Sequence, residues 1–153
     1  MIEELDKFSL FKDLSLAQLE DILPFCTKLD LDEGDIMIEE GNKDDRDLYL
    51  LISGNVEIVS SDSSVLSHEV VLSREDKEIF GEISWLSEHK RTASVRCKTS
   101  VDAVRIDGIG LMSFLDKNPE IGFLVMQRIA CLLAQRIEET DTLMKQILWN
   151  TVI

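Results

Sequence analysis

The amino-acid sequence predicts a mainly β protein, a sandwich or barrel of short strands flanked by helices. Three observations carry this. Between Thr27 and Asp107 apolar residues recur in short alternating runs: Ile36 and Ile38; Leu48, Leu50 and Ile52; Val56 and Ile58; Val70 and Leu72; Val95; then Val101, Val104 and Ile106. Turn formers separate the runs at Glu33-Gly34-Asp35, Gly41-Asn42, Ser53-Gly54-Asn55 and Ser61-Asp62-Ser63. On either side of this stretch the apolar spacing changes to three and four, the period of a helix. About seven or eight strands at such intervals suit a closed or two-layered β architecture.

The first 26 residues read as a helical cover. Leu10 to Leu14 forms a short helix, and Ser15 with Gln18 forms a capping box for a second one. Leu16, Leu19, Ile22 and Leu23 keep helical spacing until Pro24 closes the element. Residues 27–107 hold the strands. Beyond them, residues 108–150 turn helical, first through Leu111-Met112-Ser113-Phe114-Leu115. Asn118 as N-cap and Pro119 at the first helical position then open a long helix running to about Leu148. The whole of residues 1–153 reads as one domain, a usual size for one core.

Thirty acidic against sixteen basic residues give a net charge of −14, which repels a polyanion and argues against nucleic acid as a partner of this chain alone. The charge is uneven. Residues 89–105 carry Lys90, Arg91, Arg96, Lys98 and Arg105 against Asp102, a local basic site that suits a small anion. No apolar run reaches the length of a membrane span and the Met-Ile-Glu-Glu start lacks a signal peptide, so no membrane partner and a cytoplasmic location are expected. Cys26, Cys97 and Cys131 are odd in number and widely spaced, which suits buried free thiols rather than disulfides or a zinc site.

Between the strands, Phe80-Gly81-Glu82-Ile83-Ser84-Trp85-Leu86 is followed, eight residues after Glu82, by Arg91-Thr92-Ala93-Ser94-Val95. An arginine fork donates to the two free oxygens of a phosphodiester with a geometry that lysine lacks. Gly81 lets the backbone approach closely, and a helix opening near Glu82 turns unpaired N–H groups toward the same anion. Backbone N–H groups near Ser84 and Ala93 complete such a cradle. Glu82 supplies an acceptor for a sugar hydroxyl. Read alone, the pair Glu82 and Arg91 also fits a salt bridge pinning a helix to a strand.

These residues resemble the phosphate-binding cassette, here residues 80–95, of the cyclic nucleotide-binding domain family. The run from Arg91 to Arg96 is similar to the modules of eukaryotic cyclic nucleotide-gated channels. The Glu40-Gly41 turn, the Leu48-Tyr49 strand, the Ser53-Gly54-Asn55-Val56 hairpin and the Asn118-Pro119 helix start extend the resemblance over most of residues 9–140. It implies a double-stranded β-helix, or jelly roll, that binds cAMP or cGMP as a sensor, with no cofactor beyond that ligand. Phe80, Gly81, Glu82, Ile83, Ser84, Arg91, Thr92 and Ala93 would hold phosphate and ribose. Thr92 reaches either the phosphate or a guanine amino group. Lys90 stands where many relatives carry proline.

In the long helix, Val125, Ile129, Leu132 and Arg136 form one stripe. Phe123, Met126, Ala130, Leu133, Ile137, Thr140, Met144 and Ile147 form a second, of the kind that seams a coiled coil. The resemblance implies that this helix both forms a homodimer through residues 119–148 and closes over the base, with Leu133, Arg136 and Ile137 facing the purine. Arg136 equally suits a surface pair with Glu138 or Glu139.

Enzymatic activity is not expected. A metal-binding barrel of similar size needs a histidine cluster, and this chain has His68 and His89 alone. The acidic run Asp30 to Asp35 lacks the glycine placement of a calcium loop. Two rival readings remain at this level: the ligand-sensing part of a longer regulator, channel or kinase, and a dimerisation unit that binds nothing small. A stand-alone sensor would pass its signal to an effector protein in trans, whereas under the first rival the signal passes to the rest of the longer protein.

Overall fold

The alternating runs pair as antiparallel strands in the computed structural model, which describes residues 1–60, 70–74 and 79–152. The strands are β1 (Cys26–Leu31), β2 (Ile36–Ile38), β3 (Leu48–Ser53), β4 (Val56–Ser60), β5 (Val70–Arg74), β6 (Ile79–Phe80), β7 (Ser94–Cys97) and β8 (Val101–Ile106). The expected turn at Ser61-Asp62-Ser63, and His68, lie outside the described residues.

β1 pairs with β8, β2 with β7, β3 with β6 and β4 with β5. This is the pairing of one long two-stranded ribbon folded between β4 and β5. Contacts of β3 with β8 and of β4 with β7 then wind the ribbon on itself into two four-stranded sheets, ordered β1-β8-β3-β6 and β2-β7-β4-β5. The result is a jelly roll with β1, β6, β2 and β5 at the sheet edges.

Period-two alternation buries both faces of the first sheet, against different neighbours. Tyr49 and Leu51 of β3, with Val101 and Ala103 of β8, point into the roll beside Met37, Val56, Phe80 and Val95. Leu48, Leu50, Val104 and Ile106 point outward into a second apolar cluster made with the helices. Each such side chain contributes about 1.5–3 kcal/mol on full burial, so the helical cover is part of the core rather than an appendage.

That cover comprises α1 (Ile2–Leu5), a 3-10 turn at Ser9–Phe11 and α2 (Leu16–Ile22). The capping box forms as expected: Gln18 N–H donates to Ser15 Oγ at 3.2 Å and Ser15 N–H donates to Gln18 Oε1 at 2.9 Å. After the roll come α4 (Gly108–Lys117) and α5 (Pro119–Val152), with α3 (Glu82–Ser87) standing between β6 and β7. Asp107 caps α4 by accepting the Gly110 N–H at 3.0 Å. Asn118 opens α5 through its carbonyl, whereas its side-chain amide donates to Phe114 O at 2.9 Å and so serves the end of α4.

Val125 and Ile129 of α5 are buried against the helical cluster, and Leu132 is half-buried there. Arg128 on the same helix pairs with Asp13 at 2.5 Å, tying α5 to the N-terminal cover. Among the described residues, no helix is long and apolar enough to cross a membrane.

Candidate functional site

The cassette departs from the ribbon where β6 ends and returns at β7. The residue just after β6, Gly81, has φ 92°, and a Cβ there would stand 2.5 Å from Arg91 Nη1 and 2.6 Å from Asp47 O. Glycine is therefore required twice, by the left-handed backbone and by the close approach. It caps the short helix α3, on which Glu82, Ser84 and Trp85 turn inward and are buried.

Arg91 is the largest fully buried side chain among the described residues, at 2% exposure. Burying a guanidinium requires partners, and they come from the loop between β2 and β3. Asp45 receives Nε at 3.1 Å and Nη2 at 2.8 Å, a two-pronged contact. Nη2 also donates to Asp47 O at 2.5 Å, and Nη1 donates to Gly81 O at 3.0 Å. The backbone is clamped as well, since Arg91 N–H donates to Asn42 O at 2.9 Å and Gly41 N–H donates to Arg91 O at 2.8 Å. One of the five guanidinium N–H groups, on Nη1, is left for a further acceptor.

The Tyr49 ring lies under Arg91 with its centroid 5.9 Å from Cζ, and its hydroxyl donates to Asp45 at 3.4 Å. Burial first, then the Asp45 charge, push the phenol up to about 12, so it remains a donor at any physiological pH.

Glu82 is 5% exposed and meets an arginine from 54 residues away. Arg136 of α5 forms an ion pair with its Oε1, and the other guanidinium nitrogen donates to Ile79 O at 2.8 Å. Arg136 bolts the long helix to the cassette.

Phe80, Gly81, Glu82, Ile83, Ser84, Arg91, Thr92, Ala93 and Arg136 all line one cavity of about 410 Å³. Ile38, Ile58 and Val95 form its apolar wall from the second sheet, and Glu139, Thr140 and Leu143 close it from α5. A fixed cation, a buried carboxylate and apolar walls together suit an anionic, hydroxylated ligand with a flat apolar part.

Leu133 is a correction. It is half-buried against the helical cluster and does not line the cavity; Ile137 is 62% exposed and does not line it either. The reason is where α5 crosses the roll. At Leu133 the inward face still packs on the core, and only from Arg136 onward does the same face stand over the cavity. Glu139, Thr140 and Leu143 follow Arg136 at three, four and seven residues, a signal available in the sequence once Arg136 is placed. Asp45 and Asp47 are functional-site residues that the sequence reading does not single out, since they lie in the loop run Asp44-Asp45-Arg46-Asp47, far from the cassette in the chain.

The geometry has counterparts. The chain is 26% identical over 152 residues to a CRP-like cAMP-activated global transcriptional regulator of Mycobacterium tuberculosis strain CDC 1551 / Oshkosh, covering 99% of this chain and 65% of the regulator. It is 26% identical over 114 residues to the potassium channel AKT2 of Oryza sativa subsp. japonica, covering 74% of this chain and 13% of the channel. The chain thus spans less than two thirds of either relative. The crystal structure of a cyclic nucleotide-binding domain from Methylobacillus flagellatus KT superposes with a TM-score of 0.77 at 22% identity, covering 90% of this chain and 76% of the other. Residues 28–118 match the model of the cyclic nucleotide-binding domain, which takes in the roll, the cassette and α4. The chain belongs to the cyclic nucleotide-binding domain family.

Proposed function

We propose that this chain is a sensor that binds cAMP or cGMP in the cavity beneath α5 and passes occupancy on through that helix. The observation that carries the reading is the burial of Glu82, Ser84 and Arg91 on one cavity that also has an apolar wall of Ile38, Ile58 and Val95. Arg91 offers its remaining Nη1–H to a phosphate oxygen. Glu82 accepts from the ribose 2′-hydroxyl, and the purine lies against Ile38, Ile58 and Val95 under Arg136, Thr140 and Leu143. Phe80, Gly81, Ile83, Thr92 and Ala93 complete the lining around the sugar-phosphate. The activity proposed is binding rather than catalysis.

A sugar hydroxyl on Glu82 shares the carboxylate with Arg136, so a bound ligand bears directly on the bolt between cassette and α5. The curated relative from Mycobacterium tuberculosis is described as cAMP-activated. On α5, Phe123, Ile137, Met144 and Ile147 are each more than half exposed, as are Leu148 and Trp149. This supports a homodimer through residues 119–148, with a cytoplasmic effector protein or a further domain receiving the signal.

Calorimetry with cAMP, cGMP and the 2′-deoxy analogue of each tests the reading. Saturable heat with at least one ribonucleotide, and about tenfold or greater loss with its 2′-deoxy form, is expected. No heat with either nucleotide would overturn it.

A further inference from the structure

Two apolar features stand outside both the nucleotide cavity and the seam of α5. The first is a groove between α3 and α4, a cavity of about 670 Å³ walled by Trp85, Leu86, Ile109 and Met112. Ile109, in the first turn of α4, keeps most of its surface in solvent. Glu88 and Asp116 line the groove too, as does Arg46, whose Nη1 already serves Ser84 O and His89 O at 3.0 Å each. Two carboxylates thus face one committed guanidinium, and the groove combines an apolar wall with an acidic border.

The second feature is Trp149, at the far end of α5 and 71% exposed. Successive residues of a helix step about 100° around its axis, so Trp149 stands about 120–200° away from Ile137, Met144 and Ile147. Pairing of α5 along that seam therefore leaves the indole in solvent. With Thr142, Lys145 and Gln146 it borders a cavity of its own, of about 390 Å³, whose lining holds one cation and no carboxylate. Lys145 precedes Trp149 by four residues and so shares its face. Among the described residues Lys145, Glu88 and Asp116 have no ion-pair partner.

Charge selects the occupant of the groove. Its acidic border repels most of the surface of a chain with thirty acidic and sixteen basic residues, whereas the Trp149 face brings an aromatic ring and a lysine together. The indole of the same chain cannot reach it. Trp149 lies about 45 Å along α5 from Pro119, while α4 extends only about 15 Å from that junction. In a parallel pair of α5 helices the partner carries its Trp149 at the same height, equally out of reach.

We propose that the Trp149 end of α5 docks in the α3–α4 groove of a further copy of this chain, with the indole against Leu86, Ile109 and Met112 and Lys145 facing Glu88 and Asp116. The contact joins two different patches, so it runs head to tail and links chains in series rather than closing as a symmetric pair does. It stands apart from the proposed homodimer, which uses the opposite face of α5, and it requires no nucleotide.

The test is made in Ile147→Glu chains, which lack the seam and keep both patches. Monomeric at a few micromolar, they are expected to associate in sedimentation above about 100 µM, the range of a contact with a single aromatic anchor. Adding Trp149→Ser removes the indole, and adding Ile109→Glu places a charge in the groove. Each of these chains alone should stay monomeric at about 500 µM. Both positions are exposed, and a glutamate suits the first turn of α4, so both chains are expected to keep the wild-type circular dichroism. Mixed in equal amounts they should form one-to-one pairs, since one retains the groove and the other the indole. Lys145→Glu in the indole-bearing member should weaken the mixed pair at least about threefold.

A mixture that stays monomeric overturns the head-to-tail contact. So does an Ile109→Glu chain that associates by itself, which would mean that Trp149 meets another surface. Ile147→Glu chains that remain monomeric at about 500 µM overturn it as well, and a mixed pair that Lys145→Glu leaves at full strength overturns the charge pairing that selects this occupant.

Discussion

Arg136 and Glu82, 54 residues apart in the chain, meet as an ion pair that fastens α5 to the cassette helix. Glu82 is nearly inaccessible while Arg136 keeps about a quarter of its surface. Removing the arginine alone leaves a buried carboxylate without its counter-charge, so Arg136→Met is expected to destabilise the fold by about 2–3 kcal/mol in urea denaturation. The Arg136→Met, Glu82→Gln double variant should recover part of that loss, because no buried charge remains. Strictly additive losses would show that the pair contributes nothing as a pair.

Arg91 has so many protein partners that its removal should be felt before any ligand is added. Arg91→Ala leaves the charge of Asp45, 15% exposed, without its cation and takes a donor from the carbonyls of Gly81 and Asp47. A fall of about 3 kcal/mol or more in unliganded stability is expected. Arg91→Lys keeps the charge but cannot span Asp45, Asp47 and Gly81 at once, so it should lie between the two and bind nucleotide at least about tenfold more weakly. Unliganded stability of Arg91→Ala equal to wild type would mean that the observed partners do not hold the side chain.

Gly81→Ala should cost more than an ordinary glycine replacement. The left-handed backbone alone costs an alanine about 1–2 kcal/mol. The added Cβ also collides with Arg91 Nη1 and Asp47 O, one of which is backbone. A total loss above about 2 kcal/mol, with weakened nucleotide binding because Arg91 is displaced, is the expected outcome. Denaturation together with calorimetry on the one variant checks both.

These three positions also show what the sequence made legible. Gly81, Glu82 and Arg91 could be found because their residue types and spacing are demanded by local chemistry: a left-handed turn, an acceptor and a fork. Strands β3, β4 and β8 could be found because a two-sided core leaves an apolar alternation. β1 was less visible, since Thr27, Lys28 and Asp30 are all exposed and break the apolar alternation, and β6 is two residues long. Asp45 and Asp47 were invisible because nothing in a loop sequence says which carboxylate folds back onto a distant arginine. Leu133 was misplaced because helical periodicity gives the face of α5 but not the height at which that face leaves the core.

The three cysteines should differ sharply in reactivity. Burial raises the Cys26 thiol to about 11, and burial with the nearby Asp35 charge raises that of Cys97. Cys131 is exposed on α5. At pH 8 a disulfide reagent should titrate Cys131 quickly and the other two only as the chain opens. The raised thiol of Cys26 and the raised phenol of Tyr49 both bind their protons more tightly folded than unfolded. The stability they contribute is complete below about pH 9 and is lost as the pH climbs through about 11 to 12. Urea midpoints that stay level from pH 8 to pH 11 would contradict this.

The proposed homodimer makes the most exposed prediction, because it concerns side chains that this single chain leaves in solvent. Ile147 is 65% exposed and lies outside the cavity beneath α5, whereas Leu143 belongs to both the exposed surface and the cavity. In a symmetric pair of helices, Ile147→Glu alters two contacts at once. At about 1.5–3 kcal/mol for each buried side chain, the pair loses about 3–6 kcal/mol, a weakening of about a hundredfold to ten-thousandfold. Sedimentation should find the wild-type chain as a dimer and Ile147→Glu as a monomer at the same micromolar concentration. Because Ile147 does not touch the cavity, any change in nucleotide affinity that accompanies the switch measures the coupling between dimer and site. A wild-type chain that stays monomeric at every concentration, with and without nucleotide, removes the dimer from the proposal.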